Sequence, residues 1–133
     1  VDFLSVKMTD DELHKVSLLG LAHVGDAVFE LMVRTWLCQG GKATAKGLHK
    51  ASVTYVAAPA QAAAMTKLLP LLTEAELAVY KRGRNTRVNS VPRSSTQEQY
   101  HAATGFEALI GYLYLRGETV RVNELFGIVV GEE

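Results

Sequence analysis

Two acids lie in stretches whose other residues are mostly apolar. Asp26 falls within Leu18-Leu-Gly-Leu-Ala-His-Val-Gly-Asp-Ala-Val-Phe-Glu-Leu-Met-Val-Arg-Thr-Trp36, and Glu107 within Ala103-Thr-Gly-Phe-Glu-Ala-Leu-Ile-Gly-Tyr-Leu-Tyr-Leu115. A carboxylate among apolar neighbours loses hydration and must be compensated by a cation, a metal or dense hydrogen bonding. Two such groups brought together repel, so one takes up a proton or both share a cation. A hard divalent ion resolves this. Mg²⁺, with Mn²⁺ as a substitute, uses one or two carboxylates, keeps several waters and completes its shell with phosphate oxygens. The expected chemistry is phosphodiester hydrolysis, in which the metal acidifies a bound water, aims it at phosphorus and neutralises the departing oxygen. A serine, cysteine or histidine nucleophile is then unnecessary.

The elements that must position these acids are helices. Leu18, Leu21, Ala22, Gly25, Phe29, Met32 and Trp36 recur at three- and four-residue steps, the period of one inward helical face, and the stretch is expected to be a buried helix with Asp26 inside it. A second long helix is expected over about Thr96 to Leu115, apolar on almost every side from Ala103 onward. Glycine inside a helix is costly unless a neighbour approaches closely. Gly25 precedes Asp26, and Gly105 and Gly111 bracket Glu107, so the two helices are expected to cross at these glycines and bring the acids together. A plainer alternative stands beside this one. Asp26, Glu30 and Arg34 are spaced four apart and fit a solvated stripe, and Glu107 could be a buried acid bonded to Tyr or Thr hydroxyls.

The remaining chain supplies further helices and no convincing strand. Thr9-Asp-Asp-Glu12 starts a short helix through about Lys15, and the Asp26 helix stops at Gln39-Gly-Gly41. A third begins near Thr44, a small-residue helix enters through Pro59 and closes before Pro70, and Thr73-Glu-Ala-Glu76 is a capping box opening a helix through Tyr80. From Gly83 to about Gln97 the periodicity gives way to a basic loop, and after Arg116-Gly117 an amphipathic helix runs from about Val120 to Val130. The fold class is all-α, a single domain over residues 1–133 arranged as an orthogonal or bundle-like helical array. The lone Cys38 reads as a core thiol in a reducing compartment, hence cytoplasm. Apolar runs of about 18 residues, which a membrane span requires, do not occur.

Formal net charge is zero but strongly segregated. Residues 31–97 hold ten basic side chains against only Glu74 and Glu76, while both ends are acidic. Such a chain can present a basic face to a polyanion. Lys81, Arg82, Arg84, Asn85 and Arg87 are the first candidates for contact with such a polyanion, with Lys46, His49 and Lys50 second; a solvated surface role is the alternative for each.

Val24-Gly-Asp-Ala-Val-Phe-Glu-Leu31 resembles the signature segment of the ribonuclease III family, and Thr104-Gly-Phe-Glu-Ala-Leu-Ile-Gly111 resembles its second acidic motif, in the correct order. Ala22-His-Val-Gly-Asp26, Tyr55-Val-Ala-Ala-Pro-Ala-Gln61 and Lys81-Arg-Gly-Arg-Asn85 make the chain closer still to the short Mini-ribonuclease III branch, which lacks a double-stranded-RNA-binding domain. The similarity runs from about Leu18 to Arg116. It implies an all-α endonuclease acting as a homodimer, with Asp26 and Glu107 as catalytic, Mg²⁺-binding acids. It further implies cleavage of double-stranded RNA to 5′-phosphate and 3′-hydroxyl ends, typically in maturation of large-subunit ribosomal RNA, with a ribosomal protein as a conceivable presenter of substrate. Two further acids of full-length ribonuclease III fall here on Leu19 and Thr104, which leaves metal number and the other ligands open, with Glu30 as a candidate outer-sphere helper.

Two readings from other classes remain. One is a non-catalytic RNA-binding or ribosome-assembly module on a decayed nuclease fold. The other is a helical bundle holding a redox metal, suggested by Glu98-x-x-His101 and distantly by Asp11-x-x-His14, though the two further glutamates such a site needs are not evident. Surface or capping roles are expected for His14 and His101, and a hydrogen-bonded core role for His23, with orientation of Asp26 as its alternative.

Overall fold

A computed structural model describes residues 1–87 and 90–132. Val88 and Asn89, within the expected basic loop, lie outside the described residues. The elements are α1 (Asp10–His14), α2 (Leu18–Gln39), α3 (Ala45–Val56), α4 (Ala58–Leu68) with a 3-10 turn at Leu69–Leu71, α5 (Glu74–Arg84), α6 (Gln97–Leu115) and α7 (Thr119–Val130). No strand occurs among the described residues. None of the described helices is long and apolar enough to cross a membrane.

Local sequence chemistry sets most helix starts. Thr9 with Glu12, Thr73 with Glu76, and Thr96 with Gln99 form reciprocal capping boxes, and Ser17 and Thr44 accept hydrogen bonds from the amides of Gly20 and Gly47. Pro59 occupies the first turn of α4, where its missing N–H costs nothing.

The architecture is built around α6, which packs most extensively on α2, then on α5 and α4. It is buried nearly all round, with Phe106, Ala108, Leu109, Ile110 and Leu113 all inaccessible. Phe29 of α2 meets Phe106 edge to face at 4.9 Å, and Met65, Leu68, Tyr80, Val122 and Leu125 close the same core.

The close approach of the α2 and α6 backbones depends on two glycines. A Cβ on Gly25 would overlap the Glu107 carbonyl oxygen and lie 2.7 Å from the Gly111 amide, and one on Gly111 would overlap the Leu21 carbonyl. Gly105 plays a different part from the one expected. It faces α5, where a Cβ would lie 2.7 Å from the Tyr80 carbonyl oxygen, and a Cβ on Gly83 would lie 3.0 Å from the Gly105 Cα. Helix α5 therefore continues past Tyr80 to Arg84, and Lys81, Arg82 and Arg84 sit on its last turn rather than in a loop. Basic residues are favoured there by the helix dipole.

An ion pair between the half-buried Arg121 and the buried Glu76 joins α7 to α5. Arg121 donates to both carboxylate oxygens of Glu76, at 2.8 and 2.9 Å, and to the Leu71 carbonyl at 2.9 Å. Burial of Glu76 was not legible from its capping box, since Arg121 is 45 residues away. Cys38 is exposed, contrary to the expected core thiol. The inward stripe of α2 runs through Leu21, Ala22, Gly25, Phe29 and Val33, and position 38 falls off that phase.

Candidate active site

Asp26 is exposed, correcting the expectation that it lies buried in α2. It follows Gly25 by one residue, which turns it about 100° from the point of closest helix approach and out of the core. Glu107 is half-buried on the crossing helix. Since Gly25 abuts the backbone of Glu107, the crossing that the glycines create also brings the two acids into interaction.

The electrostatics follow from that placement. Burial first, and then the charge and side chain of Asp26, together push the Glu107 carboxyl from its ordinary 4.5 up to about 8. Gln61 of α4 acts against the shift. One acid thus faces solvent and the other is held near protonation, the condition of a carboxylate pair that gains most from a cation. Among the described residues, groups of three or more His, Cys, Asp or Glu that could hold a metal do not occur. Leu19, which is 44% exposed, and the buried Thr104, whose hydroxyl donates to the Tyr100 carbonyl at 3.0 Å, supply no carboxylate. The donor set is two hard carboxylates beside open solvent. It suits Mg²⁺ or Mn²⁺, which retain waters and take up phosphate oxygens.

Other residues singled out in the sequence fall into separate groups. Glu30 is paired with Arg34 at 2.6 Å on the surface of α2, so its carboxylate is already engaged, and it lines a groove with His23 and Asp26. His23 is exposed, not a core histidine, and makes no hydrogen bond to Asp26. His14 is exposed at the end of α1. His101 is half-buried beside Arg84, Asn85, Gln97 and Glu98, and its Nδ1 is buried without a hydrogen-bond partner among the described residues, unlike the surface role expected. Lys46, His49, Lys50, Lys81, Arg82, Asn85 and Arg87 are exposed. Arg84 is half-buried, its guanidinium 5.6 Å from the Tyr80 ring centre and its Nε donating to the Asn85 Oδ1 at 3.3 Å.

Gln61 is the residue beside the acids that sequence reasoning did not single out. It was available only as part of a motif. The signal lay in phase, because Gln61, Ala64, Met65 and Leu68 share the inward face of α4 and only the first is polar.

The same groove carries an apolar wall. Of this open groove of about 710 Å³, Leu4, Val24, Ala27, Val28, Leu31 and Met32 together with Tyr114 and Val122 form the apolar part, with Leu4 and Leu31 left 75% and 54% exposed.

Comparison with known proteins agrees with this geometry. Residues 19–118 match the family described as Ribonuclease III domain. Mini-ribonuclease 3 of Clostridium tetani is 39% identical over 129 residues, covering 96% of this chain and 85% of that protein. Mini-ribonuclease 3 of Symbiobacterium thermophilum is 46% identical over 107 residues, covering 80% and 82%. The crystal structure of a Fusobacterium nucleatum protein superposes with a TM-score of 0.82 at 32% identity, covering 90% of this chain and 96% of that one. With the acid pair on crossed helices and these relatives matched over most of its length, the chain belongs to the ribonuclease III family, in its Mini-ribonuclease 3 group, and is an endoribonuclease.

Proposed function

We propose that residues 1–133 form one catalytic domain that cleaves double-stranded RNA in a Mg²⁺-dependent manner, with Mn²⁺ as a substitute, using Asp26 and Glu107. The observation that carries this is the pairing of the acids at the Gly25–Gly111 crossing, where Asp26 and burial together raise Glu107 to about 8. Asp26 presents its carboxylate to solvent, where a divalent cation would stand between it and an arriving phosphate. Glu107 would hold such a cation as a second anionic oxygen ligand, since a nearby positive charge offsets both its burial and the repulsion from Asp26 and so favours its ionised form. A bound Mg²⁺ would supply an acidified water and charge neutralisation at the phosphate. The expected products carry 5′-phosphate and 3′-hydroxyl ends.

Duplex RNA is read by shape, phosphates and 2′-hydroxyls, so basic side chains suffice for recognition. Lys81, Arg82, Arg84, Asn85 and Arg87 at the end of α5 are the first set to meet the duplex, and Lys46, His49 and Lys50 on α3 the second. The working unit is a homodimer packed through the apolar wall of Leu4, Ala27, Val28 and Leu31, which would otherwise stay exposed next to the acids. Its two-fold axis matches that of an antiparallel duplex, one site to each strand. The resemblance further supports a cytoplasmic role in maturation of large-subunit ribosomal RNA precursor, where a ribosomal protein could assist presentation.

The test is incubation with protein-free duplex RNA and Mg²⁺, beside single-stranded RNA and a chelator control. Cleavage of the duplex alone, abolished by chelation and leaving 5′-phosphates, is expected. Duplex RNA that is bound but never cut would contradict the proposal.

A further inference from the structure

Gln61 is 1% exposed on the inward stripe of α4, whose next turns place Met65 and Leu68 in the main core with Phe106, Leu109 and Ile110. Helical phase calls for an apolar side chain there, and a buried amide costs free energy unless it is used. Its Nε2 has no hydrogen-bond partner of ordinary geometry among the described residues. The side chain lies on the buried face of α4, which packs against α6, the helix that carries Glu107 between the core residues Phe106 and Ile110, and it opposes the upward pull on that carboxyl. An ionised carboxylate only accepts hydrogen bonds and an amide NH₂ only donates them, so the two are complementary once Glu107 is ionised.

We propose that Gln61 is a positioning residue for Glu107: its buried, otherwise unpartnered Nε2 donates to one carboxylate oxygen and leaves the other turned toward Asp26 and a shared divalent cation. This rests on the reading of Asp26 and Glu107 as the metal-binding pair. The choice of an amide has a physical reason. A lysine or arginine at position 61 would neutralise the charge that attracts the cation, and a third acid would add to the repulsion between the existing two. A neutral donor fixes the carboxylate and leaves its charge intact. Partners behind a ligand commonly govern affinity and rate about 10- to 100-fold.

The experiment compares wild type with Gln61→Met, which keeps the volume and removes the donors, and Gln61→Asn, which keeps the amide but withdraws it by one methylene. Mn²⁺ affinity is read by the electron paramagnetic resonance of free Mn²⁺, together with kcat and KM on duplex RNA and the melting temperature. For Gln61→Met the melting temperature should hold or rise, because a buried unpartnered amide is removed. Mn²⁺ affinity and kcat should fall about 10- to 100-fold with KM for RNA little changed. Gln61→Asn should show the same loss of affinity. Unchanged Mn²⁺ affinity and kcat in folded variants would overturn the positioning role, as would losses that only track a lowered melting temperature. Asp26→Asn and Glu107→Gln run in parallel separate the two claims. If they leave Mn²⁺ binding and cleavage intact, the metal reading itself fails; if they abolish both while Gln61→Met does not, only the role of Gln61 fails.

Discussion

At the scale of single residues, Glu107 and Glu76 show how environment assigns opposite behaviour to one side-chain type. Glu107 is raised to about 8 by burial and Asp26, whereas Glu76 is held below its ordinary value by hydrogen bonds from Arg121. Their effects on stability have opposite signs. Because folding raises the pKa of Glu107, the protonated folded state is favoured at low pH, and that advantage is lost as pH climbs from 4.5 through about 8. Glu76 stabilises above its unfolded value, and its contribution is lost as pH falls through its lower folded pKa. Without added metal, the melting temperature should therefore decline between about pH 5 and 8, and Glu107→Gln should flatten that decline. A variant with the wild-type slope would contradict the raised Glu107 carboxyl. The presence of two isolated acids was legible in the sequence. The exposure of Asp26 was not, because the apolar Ala27 and Leu31 that made its surroundings look like core are themselves exposed beside it. Nor was the closeness of Gln61, which depends on how α4 docks against α6.

At the scale of elements, the α2–α6 crossing is the structural requirement of the site. The glycines made it legible, since an interior helical glycine that costs stability needs a close neighbour to explain it. Their division of labour could not be read from spacing: Gly25 and Gly111 serve α2 and α6, whereas Gly83 and Gly105 serve α5 and α6. Gly25→Ala drives a methyl into the Glu107 carbonyl, so it should cost at least the roughly 1–3 kcal/mol usual for overpacking. Chemical denaturation would measure the loss, and cleavage should fall at temperatures where the variant remains folded, because the acids are forced apart. Full stability in Gly25→Ala would show that the helices can separate freely. The composition of Lys81-Arg-Gly-Arg84 suggests a loop and hides the true length of α5. In the folded chain its glycine is consumed by packing on α6, and its charges suit a helix C-terminus.

At the scale of the whole molecule, zero net charge conceals a basic middle between acidic ends, and this organisation was fully visible in the sequence. Replacing Arg82, Arg84 and Arg87 together by Ala should weaken duplex binding and flatten its salt dependence. On the scale of a B-form duplex, the log–log slope should fall by up to about 0.9 for each phosphate that is no longer neutralised. Equal affinity across salt would remove the end of α5 from the RNA interface. The apolar wall beside Asp26 was not legible, because Leu4 and Leu31 are far apart in sequence and are gathered only by the fold. Leu31→Glu should convert a dimer to a monomer in sedimentation and lower cleavage, while the monomer keeps its helical content. A dimer that survives this change would place the interface elsewhere. The central claim, that Asp26 and Glu107 cut RNA rather than merely bind near it, is tested most directly by measuring duplex affinity and Mg²⁺-dependent cleavage side by side for wild type, Asp26→Asn and Glu107→Gln. The account predicts retained binding with cleavage abolished in both variants; cleavage at the wild-type rate in either one would contradict it.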